Sequence, residues 1–222
     1  ASGIHASFEQ SCERLGVERV DILLLHDIGR KTHGDRHPEI LTQALNEALP
    51  AMRELQAQGR TRWIGLGVNE TDICEEVLTH TYLDVLLIAG RYTLLEHEGT
   101  LAFLDYCYQQ DVKVIVGGAF NSGLLVAPPE EAPHYDYAPA PTWAIERASA
   151  LREICARHET PLPAAALQFC RAHPAVASVI PGAQSPSQVR ELAKWAKLSI
   201  PGDLWERLKD EDLISRSAPV PS

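Results

Sequence analysis

Hydrophobic residues fall along this chain in two rhythms. In IHASFEQSCERLG, Ile4, Phe8, Cys12 and Leu15 recur at three- and four-residue steps and form one helical stripe, with Gly16 standing where a C-cap belongs. The rhythm then changes to VDILLLH, residues 20–26. This continuous apolar run predicts an inner strand that stops at the polar pair His26 and Asp27. PEILTQALNEALPAMRELQAQGR predicts a helix with Ile40, Leu41, Ala44, Leu45, Ala48, Met52 and Leu55 facing inward, kinked by Pro50 and ended by Gly59. WIGLGVN, LDVLLIAG, VKVIVGGAF and ASVIPGA read as further strands. Helical patterns separate them: TDICEEVLTH with a Thr71/Asp72 cap signal, EGTLAFLDYCYQQ, PTWAIERASALREICARHE and PLPAAALQFCRAHP. SPSQVRELAKWAKL follows, opening on Ser185 as N-cap and Pro186 in the first turn.

The order is one helix and then repeated strand–helix pairs, with an extra helix before the last strand. Continuous apolar strands are the mark of parallel strands buried on both faces. An α/β architecture follows, either a doubly wound sheet or a (β/α) barrel, organised as a single domain over residues 1–222. No G-x-G-x-x-G follows the first strand, so the dinucleotide fingerprint of the doubly wound fold is missing. APPEEAPHYDYAPAPT, 127–142, is a long proline-rich loop of the kind that carries function, and SRSAPVPS is expected to fray.

In such folds ligands meet the C-terminal ends of the strands. Those ends carry His26 and Asp27, Asn69 and Glu70, Gly90 to Tyr92, Gly117 to Gly123, and Pro181 to Ser185. The last two turns suit an anion. GGAFNSGLL can aim backbone N–H groups outward, with Asn121 and Ser122 as side-chain partners, and PGAQSPSQ leads into a helix N-terminus. Turns after the last two strands are where barrels place phosphate. His33, His37 and Asp35 lie in a polar loop and are not read as metal ligands, and Trp143, Trp195 and Trp205 are read as packing residues.

Composition narrows the function classes. The net charge of −10 argues against nucleic acid as a partner. No apolar run is long enough for a bilayer, and no leader pattern opens the chain, so the expected setting is cytoplasmic and away from membranes. Cys12, Cys74, Cys107, Cys155 and Cys170 are widely spaced and read as reduced, packed thiols.

Four stretches taken together, SFEQSCERLGVERVDILLLHD, AGRYTLLE, VIVGGAFNSGLL and AALQFCRAHPAVASVIPGAQSPSQVREL, resemble the aldo-keto reductase superfamily. The likeness is to its sugar-oxidising branch, the L-fucose, L-galactose and D-threo-aldose 1-dehydrogenases, with pyridoxal 4-dehydrogenase nearby. The resemblance implies a (β/α)8 TIM barrel of which this sequence supplies about strands four to eight, the first third being absent. It also implies hydride transfer between NAD or NADP and a carbonyl carbon. Of the family's four catalytic side chains, His26 matches the histidine that orients the substrate oxygen, while the Asp, Tyr and Lys belong to the absent strands. Asn69 matches the contact to the nicotinamide carboxamide, although Val68 stands where a serine is usual. Phe120, Asn121, Ser122, Gly123 and Leu124 match the pyrophosphate loop. Gly182, Ala183, Gln184, Ser185, Gln188 and Glu191 match the adenosine end. Leu192 replaces an adenine-contacting Asn, Gly117 a stacking aromatic, and Gly182 and Gln188 the cations of NADP-preferring relatives, which favours NAD. The implied substrate is an aldose oxidised to its lactone. Pyridoxal or another aldehyde, or a non-catalytic cofactor-binding barrel subunit, are the alternatives.

Overall fold

The computed structural model describes residues 1–127, 134–136 and 138–221. They form two compact units, Ala1–Ile88 with Gln110–Lys113, and Ala89–Gln109 with Val114–Ser222.

In the first unit, α1 (Ser2–Leu15) ends at Gly16, whose φ of 67° is the left-handed cap that its position predicted. Its stripe buries Phe8 and Cys12 against Leu55, with Ile4, Val20 and Leu23 packed alongside, whereas Leu15 is left exposed. Three strands follow in parallel: β1 (Val20–His26) pairs with β2 (Thr61–Val68), and β2 with β3 (Val85–Ala89). The register sets His26 opposite Gly67, so both strands end at the same level. Between β1 and β2 run α2 (Arg30–His33), α3 (His37–Gln43) and α4 (Leu49–Ala57). The predicted kink takes the form of a π-helical turn over Ala44–Ala48. Pro50 has no N–H to give the turn before it, and its ring crowds the carbonyl four residues back, so the ladder widens there. α5 (Thr71–Leu78) carries Ile73, Cys74 and Val77 inward.

The second unit holds α6 (Glu98–Gln109), β4 (Lys113–Gly117) and a short antiparallel hairpin of β5 (His134–Tyr135) and β6 (Ala138–Pro139). It continues through α7 (Thr142–Arg157), α8 (Leu162–Arg171), β7 (Val176–Ile180), α9 (Pro186–Trp195) and α10 (Gly202–Asp210). β4 and β7 run parallel. The core is aromatic: Tyr92 stacks on Phe169 with centroids 5.4 Å apart, and Phe169 meets Trp205 at 6.5 Å. Part of the predicted proline-rich loop, 128–133 and 137, lies outside the described residues.

Three expectations need correction. Burial on both faces holds for β2 to β4 but not for β1 and β7, where Leu23 to Leu25 are half-buried and Ile180 is exposed. Among the described residues β1 pairs only with β2, and β7 only with β4, which leaves one edge of each without a neighbour. The described part of the tail, 215–221, is seated on the fold: Ala218 is buried, as is Ile214 just before it, and the Ser215 N–H donates to His97 Nε2 at 3.0 Å. Trp143, expected to pack, is exposed apart from an edge contact with Tyr135, while Trp205 is buried.

Candidate functional site

The loop after β4 and the turn after β7 enclose a cleft of about 710 Å³. Phe120, Ser122, Gly123, Gly182, Ala183, Gln184, Gln188 and Glu191, all singled out in the sequence, line it. Such a volume falls within the usual range for small-molecule and cofactor sites. The loop is built from left-handed residues: Gly118, Asn121, Ser122 and Gly123 all have positive φ, at 65°, 47°, 56° and 97°. Gly118 has no alternative, because a Cβ there would lie 2.9 Å from the Gly90 amide nitrogen. The amides of Asn121, Gly123 and Leu124 bond within the turn, to the carbonyls of Gly118, Phe120 and Asn121, so those three N–H groups serve the loop and not a ligand. Asn121 and Leu124 are buried under the loop instead of lining the cleft, and Asn121 Oδ1 has no hydrogen-bond partner among the described residues.

On the opposite wall, α9 starts as the sequence predicts. Ser185 Oγ accepts the Gln188 N–H at 3.3 Å, and Gln188 Oε1 reaches back to the Gln184 N–H at 2.6 Å. This reciprocal arrangement is close to a capping box and holds Gln188 across the helix start. Gln188, Glu191, Leu192 and Trp195 then share one helical face at i, i+3, i+4 and i+7 and continue the lining. Trp195, expected to be a packing residue, meets Phe120 edge-on at 6.3 Å and closes one end of the cleft. The helical spacing from Gln188 is the signal that could have found it. Gly118 and Ala119, within the strand-end stretch Gly117 to Gly123, also line the cleft, together with Val126, which was not singled out. No lysine or arginine is among the described residues that line it, and Glu191 contributes a carboxylate.

The first unit carries His26 and Asn69 at the ends of β1 and β2. The His26 side chain is 81 % exposed, with Nδ1 3.5 Å from Asp27 Oδ2. Asn69 is half-buried. His33 and His37 each give a ring N–H to a backbone carbonyl, Asp27 at 2.8 Å and Ile28 at 3.1 Å. Both histidines thus serve the turn that follows His26. The chemistry available is an imidazole presented to solvent at one strand end and, in the other unit, a mainly uncharged cleft with a glycine-rich loop and a helix N-terminus, which suit a dinucleotide.

Comparison with known proteins places these observations in a family. A model described as the aldo/keto reductase family matches residues 1–211. A pyridoxal 4-dehydrogenase of Microbacterium luteolum is 42 % identical over 215 residues, 96 % of this chain and 63 % of the relative. A D-threo-aldose 1-dehydrogenase of a Pseudomonas species is 37 % identical over 213 residues, 96 % of this chain and 62 % of the relative. The chain therefore spans less than two thirds of the length of these curated relatives. Among solved structures, the holo form of an aldo-keto reductase from Bacillus halodurans superposes with a TM-score of 0.70 at 24 % identity, over 99 % of this chain and 66 % of that one. A glycerol dehydrogenase from Gluconobacter oxydans gives 0.71 at 18 % identity, over 99 % and 65 %. These likenesses show the fold, that of the (β/α)8 barrel of aldo-keto reductases.

Proposed function

This chain belongs to the aldo/keto reductase family, and on that premise we propose that it serves an NAD(P)-dependent oxidoreductase moving hydride between nicotinamide and C1 of an aldose, with the lactone as oxidised product. The carrying observation is the cleft after β4 and β7, lined by eight of the residues expected to hold the cofactor. The residues fit a dinucleotide: the volume is adequate, the loop is glycine-rich, and the buried Asn121 Oδ1 beside it lacks a partner among the described residues. Phe120, Ser122 and Gly123 would hold the pyrophosphate, and Gly182, Ala183, Gln184, Gln188 and Glu191 the adenosine. Asn121, Leu124 and Ser185 support those groups by shaping the loop and the helix start, and Asn69 would contact the nicotinamide carboxamide. The bound cofactor supplies the hydride acceptor.

His26 acts on the substrate. A ring N–H at the end of β1 can donate to the reacting oxygen and orient it, a role that suits an imidazole presented to the ligand side. NAD is favoured over NADP. A 2′-phosphate needs cationic partners, and the cleft offers none, with the Glu191 carboxylate among its lining. A cytoplasmic setting agrees with five buried cysteines that stand outside disulfides. No helix among the described residues is long and apolar enough to cross a membrane.

A second reading has its own support, since the 42 % identical relative is a pyridoxal 4-dehydrogenase. An aldose and pyridoxal both form cyclic hemiacetals, and hydride loss from that carbon gives a lactone in either case. The test is cofactor reduction by the full-length protein with L-fucose, L-galactose, D-arabinose and pyridoxal, each with NAD and with NADP. Turnover of an aldose with NAD is the expected result. Turnover of pyridoxal alone selects the second reading, and no reduction with any pairing defeats both.

A further inference from the structure

We propose that Glu70, His33 and His37 form a brace that positions His26, acting through the backbone of the turn that follows it. The proposal rests on the reading of His26 as the substrate-orienting imidazole.

The chain leaves β1 abruptly. Asp27, directly after His26, has a φ of 43°, in the left-handed region that aspartate tolerates better than most residues with a Cβ. Every anchor of that turn comes from a different place. The Asp27 N–H donates to the Gly67 carbonyl in β2 at 3.0 Å. The Asp27 carbonyl accepts the Nε2–H of His33 in α2 at 2.8 Å. The Ile28 carbonyl accepts the Nδ1–H of buried His37 in α3 at 3.1 Å. The Lys31 N–H donates to Glu70 Oε1 at 2.9 Å. Behind them, His37 Nε2 faces Glu76 Oε2 of α5 at 3.5 Å.

Glu70 also explains a glycine. A Cβ at Gly29 would lie 2.0 Å from Glu70 Oε2, so the carboxylate occupies the space where any other residue would put its side chain. Gly29 and Glu70 are therefore a matched pair: the glycine lets the carboxylate come down onto the turn, and the carboxylate fixes the amide beyond it.

The position of His26 makes the brace consequential. The ring stands one residue before the braced turn, so its aim depends on the backbone that the turn holds. A displacement of about 1 Å at a reacting group can cost on the order of 100-fold in rate. The loop histidines thus have a use that neither metal binding nor a solvated surface explains: each fixes a carbonyl within two residues of His26.

The experiment uses the full-length enzyme. Glu70→Ala and His33→Leu are expected to lower kcat on the order of 10- to 100-fold. The Kd for NADH, read by fluorescence titration, should stay within about twofold, because the cleft of the second unit is untouched. Glu70→Gln keeps an acceptor oxygen and His33→Gln keeps an amide N–H at the reach of Nε2, so both should retain most of kcat. Gly29→Ala should lose kcat, and adding Glu70→Ala to it should cause little further loss, since both disturb the same contact. Unchanged kcat in Glu70→Ala and His33→Leu overturns the proposal. Should those two variants not fold, folded glutamine variants that lose kcat as severely overturn it instead. A wild-type enzyme that turns over no aldose and no pyridoxal defeats the reading of His26 and not the brace. The brace is then read from the ring NMR signals of His26, expected sharp and single in wild type and broadened or doubled in Glu70→Ala. Identical spectra overturn it.

Discussion

At the scale of single residues, His97 couples proton binding to the C-terminal segment. Its Nδ1–H donates to the Thr93 carbonyl at 3.1 Å and its Nε2 accepts the Ser215 N–H at 3.0 Å, so only the neutral ring satisfies both partners. It is buried at 1 % exposure, and burial pushes its pKa down to about 4, with Arg147 adding to the shift while the Thr93 carbonyl and Glu98 oppose it. The unfolded chain has an ordinary histidine near 6.5 and binds a proton that the folded state refuses. The stability from this group is therefore whole above pH ~6.5 and is lost as the pH falls from ~6.5 to ~4, up to about 3 kcal/mol. Urea unfolding at several pH values should show the midpoint falling through that window. His97→Asn, which keeps the donor to Thr93 and removes the acceptor, should be less stable at neutral pH and show a flatter profile. A slope in the variant as steep as in wild type would assign the acid sensitivity elsewhere.

At the scale of elements, neighbouring glycines in β2 have different reasons to exist. A Cβ at Gly65 would lie 1.5 Å from the Val85 carbonyl oxygen in β3, so Gly65→Ala must break the β2–β3 ladder and is expected to give insoluble or unfolded protein. A Cβ at Gly67 would meet His26 Cδ2 at 3.6 Å, ordinary contact, so Gly67→Ala should fold, with a thermal midpoint near that of wild type. Equal behaviour of the two variants would contradict the register of β2. The β5–β6 hairpin is tied down by charge. Arg91 spans Glu96 at 2.9 Å and Asp136 at 2.7 Å, and the Tyr135 hydroxyl donates to Glu96. Burial, then the Glu96 carboxylate, pushes the Tyr135 pKa up to about 12, which keeps that donor protonated. Arg91→Ala leaves two carboxylates without their shared cation and should cost about 1–3 kcal/mol. Limited proteolysis should then cut at the hairpin first, and cleavage no faster than in wild type would show that the ion pairs do not hold it. Arg91 and Asp136 are 45 positions apart, so nothing in the local pattern of the sequence announces this pairing.

At the scale of the molecule, the chain carries a net charge of −10 and its proposed cofactor is itself an anion. The cleft has no lining cation to reverse that field locally. Association is then slowed by long-range repulsion, and salt at ~0.15 M, with a screening length of ~8 Å, should relieve it. Stopped-flow measurement of NADH binding is expected to show kon rising from low salt to ~0.15 M while koff changes little. A fall in kon would mean that cationic steering dominates.

The order of elements, the parallel character of the strands, the cap at Gly16 and the start of α9 at Ser185 were all legible in the sequence, because each depends on spacing or on residues within one turn. So were most of the residues lining the cleft, since they follow strand ends in chain order. The incomplete burial of β1 and β7 follows from the implied five-strand arc and not from the strands' own apolar runs. An apolar run states that a strand prefers to be covered, and only the pairing of strands decides whether anything covers it. The seating of the tail on His97, the place of Trp195 in the cleft and the brace of Glu70 on Gly29 were also decided by tertiary structure. Each joins positions whose distance in sequence carries no periodic signal, or gives one residue a choice between core and cleft. Such choices are made by packing against neighbours that the local sequence does not name.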